Sequence, residues 1–343
     1  MIALRRFFTK SSRPNLSWSS TTGYGLLAIL CLCSNNTLLA QEIDPKLPVY
    51  KPSAGVGGTL KSVGSDTMNN LVSLWAGEFK KHYPGVKIEI DGKGSSNAIP
   101  ALVAGTATFG PMSREAKASE LGAFEAKFGY KPTLLPTSID MLAVYVHRNN
   151  PIDGLTFKQV DSIFSSTRKQ GLREQSKTWG QLGVEGDSAN EGITCYGRNA
   201  ASGTYGYFKE KVLGDGDYGV WVSELPGSSA VVQAIGANPW GIGYSGIGYR
   251  TADVKPLALD KGDGKLVKAE PANAYDGTYP LARFLYIAVN YDSRKKLDPL
   301  RAEFLRFIFS QQGQTQVLKD GYLPLTATVA RKSLTAVGIS PGF

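Results

Sequence analysis

Residues 92–109 read GKGSSNAIPALVAGTATF. Residues 86–90 just before them alternate apolar and polar as a strand does, and Gly92 and Gly94 then turn the chain. A helix is expected to start at Ser95-Ser96 and bury Ile99, Leu102 and Val103. Pro100 is tolerated there because it falls in the first turn, where its missing N–H has no intrahelical acceptor. Residues 106–109 make the next strand. Strand, glycine turn, helix and strand in so short a span set an α/β rhythm.

The same rhythm extends in both directions. Residues 59–63 are expected to be a strand, followed by a helix with Met68, Leu71, Val72, Trp75 and Phe79 on one face. Residues 141–146 form a buried strand, and Asn149-Asn150-Pro151 breaks it, which we take as the first crossover between lobes. Beyond it come a helix over 157–164, a strand over 193–196, a helix after Ser202 burying Tyr205, Phe208 and Val212, and the glycine-rich strand GIGYSGIGY (241–249). The chain is expected to return to the first lobe near 254–259. YPLARFLYIAV (279–289) is the most β-like run of the C-terminal third, and Asp298-Pro299 caps a helix burying Leu300, Phe304, Phe307 and Ile308. The expected division is an export segment over 1–40, a flexible segment over 41–57, a first lobe over 58–140, a second over 141–250, and a return to the first over 251–343. The result is two α/β lobes joined by more than one crossing, with a cleft between them.

Residues 1–40 have the form of an export signal: Arg5, Arg6, Lys10 and Arg13 without an acid, an apolar run over 24–32, and Ala40 before Gln41. Cleavage after Ala40 removes four positive and no negative charges, taking the net charge from +9 to +5. Basic runs such as Lys80-Lys81 and Arg294-Lys295-Lys296 are too short for a nucleic-acid binder. Only Cys195 remains in the mature chain, so no intramolecular disulfide can form. With His82 and His147 the only histidines, no metal or other cofactor is expected. GIGYSG (241–246) fits a dinucleotide fingerprint by letter, but it follows Asn238-Pro239-Trp240 where a strand is required, so we set it aside.

Three turns carry the chemistry: GSDTM (64–68), GKGSSN (92–97) and ASGTYG (201–206). Each pairs glycine with hydroxyls and is expected to follow a strand and open a helix, where unpaired N–H groups favour an anion. One such turn is ordinary capping; three in one chain point to an anion site. Arg198, four positions before Ser202, adds a planar fork of donors suited to two oxygens at once. Cys195 is expected to be a small buried strand residue rather than a reactive thiol, and Arg283 either to pair with an acid, the favoured reading, or to reach the cleft as a second anion contact.

GKGSSNAIPALVAGTATFG, RNAASGT, NPWGIGYSGIGY and YPLARFLYIAVN together resemble the periplasmic phosphate-binding proteins of bacterial phosphate ABC importers, the PstS family. The likeness covers roughly residues 58–325. It implies a two-lobed type II periplasmic-binding-protein fold that closes over inorganic phosphate in a cleft between lobes, and delivery to the membrane permease of an importer. It implies phosphate ligands at Ser95, Arg198, Ser202, Gly203 and Thr204, with a contribution from Ser65, Asp66 or Thr67. Better-known members of the family have an aspartate eighteen residues after the Gly-Ser-Ser serine; here Ser113 stands there, followed by Arg114. A carboxylate at that point accepts the proton of phosphate and repels sulfate. With Ser113 able to donate and Arg114 attracting anions, the expectation is weakened selectivity unless Asp66 takes over the acceptor role. A secreted phosphatase, or a binder of another oxyanion such as sulfate, is the alternative. A phosphatase would need an activated nucleophile, for which Ser95, Ser202 or Asp66 could be nominated, and His147 reads better as a strand-end residue than as its base.

Overall fold

The computed structural model describes residues 42–342; the export segment expected over 1–40 lies outside them. The strand β1 (Thr59–Val63) is followed by α1 (Asn69–His82), which buries Leu71, Val72, Trp75, Ala76 and Phe79 on one face. Then come β2 (Lys87–Asp91), α2 (Ala98–Ala104), β3 (Phe109–Met112) and α3 (Ala118–Phe128). β1 lies between β2 and β3 and is parallel to both, as helical crossovers require.

The long strand β4 (Thr133–His147) then carries the chain away from this first unit. A short β5 (Gly154–Thr156) leads into α4 (Phe157–Phe164), capped by Thr156, whose hydroxyl accepts the Gln159 N–H. β6 (Thr194–Arg198), α5 (Gly203–Lys211), β7 (Ser223–Leu225), α6 (Ser228–Gly236) and β8 (Gly241–Gly246) follow. β9 (Val254–Pro256), β10 (Ala258–Asp260) and α7 (Pro271–Tyr275) precede the returning strand β11 (Ala282–Val289). Three helices close the chain: α8 (Pro299–Ile308), α9 (Gln311–Lys319) and α10 (Ala327–Ala336). Asp298 caps α8 by accepting the Arg301 N–H at 3.0 Å.

The main sheet runs β2-β1-β3-β11-β4-β8-β6-β7, with β9 also on β4. Its two ends are parallel, and its middle is antiparallel because β4 and β11 run against each other from Thr133↔Val289 to Met141↔Ala282. These two strands join two apolar cores. The first holds Leu60, Trp75, Phe79, Phe109, Leu135, Leu285, Phe304 and Phe307. The second holds Met141, Leu142, Phe164, Trp179, Phe208, Tyr244, Leu259 and Leu281. The molecule is therefore two-lobed.

Three details differ from the sequence reading. The change of core falls inside β4, between Leu135 and Met141, and not at Asn149-Asn150-Pro151, because one unbroken strand pairs in both lobes. Residues 254–281 stay with the second core: β9 pairs with β4, β10 with β5, and Leu257, Leu259, Tyr279 and Leu281 pack there, so the return comes at β11. Residues 42–53, expected to be flexible, are strapped to the first lobe. Leu47 and Tyr50 are buried in its core, and the Tyr50 hydroxyl donates to Glu303 at 2.8 Å. Gln311 N donates to Pro48 O at 2.9 Å and Ala327 N to the Asp44 carboxylate at 2.8 Å. The prolines and lysines of this segment masked its two apolar anchors.

All six residues of GIGYSG are buried in β8. A Cβ at Gly243 would lie 2.7 Å from Tyr196 O and 2.9 Å from Ile235 Cδ1, so this glycine lets α6 lie close on the sheet.

Candidate functional site

Each hydroxyl-bearing turn does follow a strand and open a helix, and the three converge between the lobes. After β1, Ser65 leads into a short 3-10 turn, Asp66–Met68; after β2, the 3-10 turn Ser95–Asn97 precedes α2; after β6, Ser202 starts α5. Only Ser202 acts as an ordinary cap, its Oγ accepting the Thr204 and Tyr205 N–H groups at 3.1 and 3.4 Å. Neither Ser65 nor Ser95 caps its own helix. Plain capping, the simplest account of all three turns, thus explains one of them.

The lobes meet at these turns. Thr67 Oγ1 and Thr204 Oγ1 lie 2.8 Å apart, and Ser96 N donates to Ala201 O at 3.1 Å. Two glycines permit the approach. Gly94, at φ 114°, would place a Cβ 2.4 Å from Ala201 O, and Gly203 would place one 2.3 Å from Ser95 Oγ and 2.6 Å from Ser113 Oγ. A side chain at either position would force the turns apart.

Arg198 is 1 % exposed, a cation held between lobes. Burial pushes its guanidinium pKa down, while the Asp66 charge beside it works the other way. Its Nη2 lies 3.1 Å from Asp66 Oδ2, and its Nη1 donates to Ser228 Oγ at 2.7 Å. Asp66 Oδ2 also accepts the Ser228 N–H at 2.8 Å. The pair is thus fixed at the mouth of α6. Arg198 Nε and Ser65 Oγ are buried here with no protein partner among the described residues. Leaving such groups unpaired costs about 1–3 kcal/mol each, more when charged, so they mark where a ligand's acceptors belong.

The hydroxyls are polarised in one sense. A hydroxyl has one hydrogen and two acceptor positions. Ser202 Oγ accepts from two backbone N–H groups, Ser95 Oγ accepts the Ser113 N–H at 3.1 Å, and Thr204 Oγ1 accepts from Arg283 Nη2 at 2.9 Å. The Ser202 hydrogen is left to donate; Ser95 and Thr204 each also face a hydroxyl, Ser113 Oγ at 3.3 Å and Thr67 Oγ1 at 2.8 Å, so each of these pairs keeps one hydrogen for a ligand. A site that is buried, cationic and rich in directed donors suits an anion with several acceptor oxygens.

The first turn divides its labour: Asp66 holds Arg198, Thr67 meets Thr204, and Ser65 is the unpartnered hydroxyl. Ser113 is fully buried with its Oγ 3.3 Å from Ser95 Oγ. Arg114 is bound by both oxygens of Glu120, at 2.7 and 2.8 Å, which offers a matching fork at the start of α3, and its Nη2 also donates to Ser96 Oγ at 3.3 Å. It therefore adds little attraction for anions. Arg283 pairs with an acid as expected: its Nε and Nη2 donate to Asp140 Oδ2 at 3.0 and 2.8 Å. Cys195 is buried, its Sγ 3.7 Å from Ile163 O, and burial pushes its thiol up to about 12.

Sequence reasoning missed Ser228, although LPGSSAVVQAIG (225–236) repeats the strand, glycine, serine, helix pattern of the other three turns. It also missed Tyr249 and Tyr322, whose hydroxyls donate to the Thr67 carbonyl at 3.3 and 2.8 Å and steady the first turn. No local motif announces them. A solvent cleft of about 840 Å³ opens beside the site, with Ser202, Arg283, Tyr205, Tyr207 and Lys117 on its walls.

The fold and the convergent helix starts define a two-lobed binding protein, and the profile described as a PBP superfamily domain matches residues 50–312. Over 298 residues the chain is 54 % identical to the phosphate-binding protein PstS of Pseudomonas aeruginosa, spanning 87 % of this chain and 92 % of that one. It belongs to the PstS family. A more distant relative is the protein SphX of Synechococcus elongatus, 27 % identical over 268 residues, 77 % of each chain. Among solved structures, a putative phosphate ABC transporter substrate-binding protein with bound phosphate from Clostridium perfringens superposes with a TM-score of 0.65 at 24 % identity, over 78 % of this chain and 100 % of that one. An ABC-type phosphate transport receptor from Vibrio cholerae gives 0.60 at 23 % identity, over 78 % and 100 %. These structures share the fold.

Proposed function

We propose that this protein is exported to the periplasm, captures inorganic phosphate between its lobes as a monomer, and delivers it to the membrane permease of a phosphate ABC importer. The observation that carries this reading is the donor set: Ser202 with both acceptor positions occupied, Ser95 and Thr204 each accepting one N–H, beside the buried fork of Arg198. The names of the relatives, which are phosphate-binding proteins, support it. Ser65, Thr67 and the backbone N–H of Gly203 complete the ligand set; Ser113 and Arg114 act behind it, through Ser95 and Glu120.

Asp66 replaces the missing carboxylate. Its Oδ2 is held by Arg198 and Ser228, leaving Oδ1 to accept the proton of a protonated phosphate. Sulfate carries no such proton at neutral pH, so it would set two acceptors against each other. The lobes divide within 136–140 and again at 282–283, and the two strands crossing there act as the hinge. Closure draws its driving force from ligand contacts made by both lobes.

The site is a binder and not a phosphatase in this reading. Among the described residues no base is bonded to Ser95 or Ser202, and His147 closes β4 with its Nδ1 accepting the Asn149 N–H at 3.2 Å. Calorimetry on mature protein with phosphate, sulfate and a phosphomonoester, beside a hydrolysis assay, tests the proposal. Phosphate is expected to bind one to one and sulfate about 100-fold or more weaker, since an unpaired charged hydrogen-bonding group costs up to about 3 kcal/mol. Arg198→Ala is expected to lose at least as much. Undiminished binding by Arg198→Ala would sink the site, equal affinity for sulfate would sink Asp66 as acceptor, and turnover abolished by Ser95→Ala would sink the binding-only reading.

A further inference from the structure

Arg283 is an unusual neighbour for an anion site: a buried guanidinium that already has a carboxylate partner. It lies on β11, one of the two strands that cross between lobes, and Asp140 lies opposite on the other. Asp140 Oδ2 takes both Nε and Nη2, while Oδ1 accepts the Ile247 N–H at 3.0 Å. The ring of Tyr207 lies against the guanidinium, 5.0 Å from Cζ to centroid. With its charge balanced and its plane fixed, the fork has three further hydrogens, two of which meet protein acceptors. One goes from Nη1 to the Ser113 carbonyl at 2.8 Å, in the first lobe, and one from Nη2 to Thr204 Oγ1 at 2.9 Å, in the second.

Both targets lead into the site. By donating to Thr204 Oγ1, Arg283 occupies one acceptor position of that hydroxyl and turns its hydrogen away from the guanidinium, toward Thr67 Oγ1 at 2.8 Å or a ligand. By holding the Ser113 carbonyl, it fixes the peptide segment whose N–H donates to Ser95 Oγ, with the same effect on Ser95. We propose that Arg283, backed by Asp140, is a positioning residue for anion capture: it sets the hydrogen direction of Thr204 and Ser95 and does so only when the two lobes are together. The inference rests on the phosphate reading given above, and it adds that the donor sense of the site is imposed from a single charged group at the crossing strands.

A calorimetric cycle on the whole mature protein tests it. The variants are Thr204→Val, Arg283→Lys, and the charge-balanced Arg283→Gln with Asp140→Asn, each alone and with Thr204→Val, and each checked for a cooperative melt. In the wild-type background Thr204→Val is expected to weaken phosphate binding about tenfold, and in either Arg283 background less than about twofold, because the hydroxyl is no longer directed. Arg283→Lys keeps the charge but not the fork, so it is expected to behave like the neutral pair. A tenfold loss from Thr204→Val in every background, or Arg283→Lys indistinguishable from wild type, would overturn the role of Arg283 and leave the phosphate site standing. Absence of phosphate binding by the wild type would instead remove the functional reading itself.

Discussion

At the scale of single residues, the two lobes touch where side chains are missing. Gly203→Ala is expected to leave the melting temperature almost unchanged in the ligand-free protein but to weaken phosphate binding by tenfold or more in titration, because its Cβ would lie 2.3 Å from Ser95 Oγ in the closed form. Cys195 is expected to resist a thiol reagent in the native protein and to react on unfolding, since burial holds it protonated with its pKa near 12. The residues from Arg198 to Thr204 were legible in the sequence because strand, turn and helix start are neighbours there. Ser228 and Asp66 meet across 162 positions and Arg283 and Thr204 across 79, so their pairing depends on how the lobes are brought together. The charge of Arg114 shows in the sequence, but the Glu120 that offsets it shows only once α3 is laid against the turn.

At the scale of elements, the alternation of strands and helices came through wherever an apolar face had a clear period, as in α1, α4 and α8. Where β4 runs for fifteen residues through both lobes, periodicity could not say where one core stops. The end of α9 holds a titrating group that its sequence does not mark. Asp320 is buried where Asn70 donates to its Oδ1 and its Oδ2 has no partner, and burial, helped by the charge of Asp140, raises its pKa to about 7. A carboxyl raised in the folded state keeps its proton there while the unfolded chain loses it near 3.8. Its contribution to stability is therefore full below about pH 4 and is lost as the pH rises through about 7. Melting temperatures measured from pH 5 to 8 should fall in the wild type relative to Asp320→Asn; parallel curves would contradict this.

At the scale of the whole molecule, a ligand gripped by both lobes stabilises both. Phosphate at 100 times its dissociation constant is expected to add about 2.7 kcal/mol and raise the melting temperature by several degrees. Arg198→Ala should show no such rise at the same concentration. The strap of residues 42–53 bears on how the chain is made. Tyr50 reaches Glu303 across 253 positions and Asp44 reaches Ala327 across 283. Synthesis runs from the N-terminal side, so residues 42–53 wait for α8, α9 and α10 before they can settle. Contacts of such separation form late. A nascent chain halted before residue 300 should thus expose residues 42–53 to protease while the second lobe is already resistant. Helices α8, α9 and α10 are thus the ones that fasten residues 42–53.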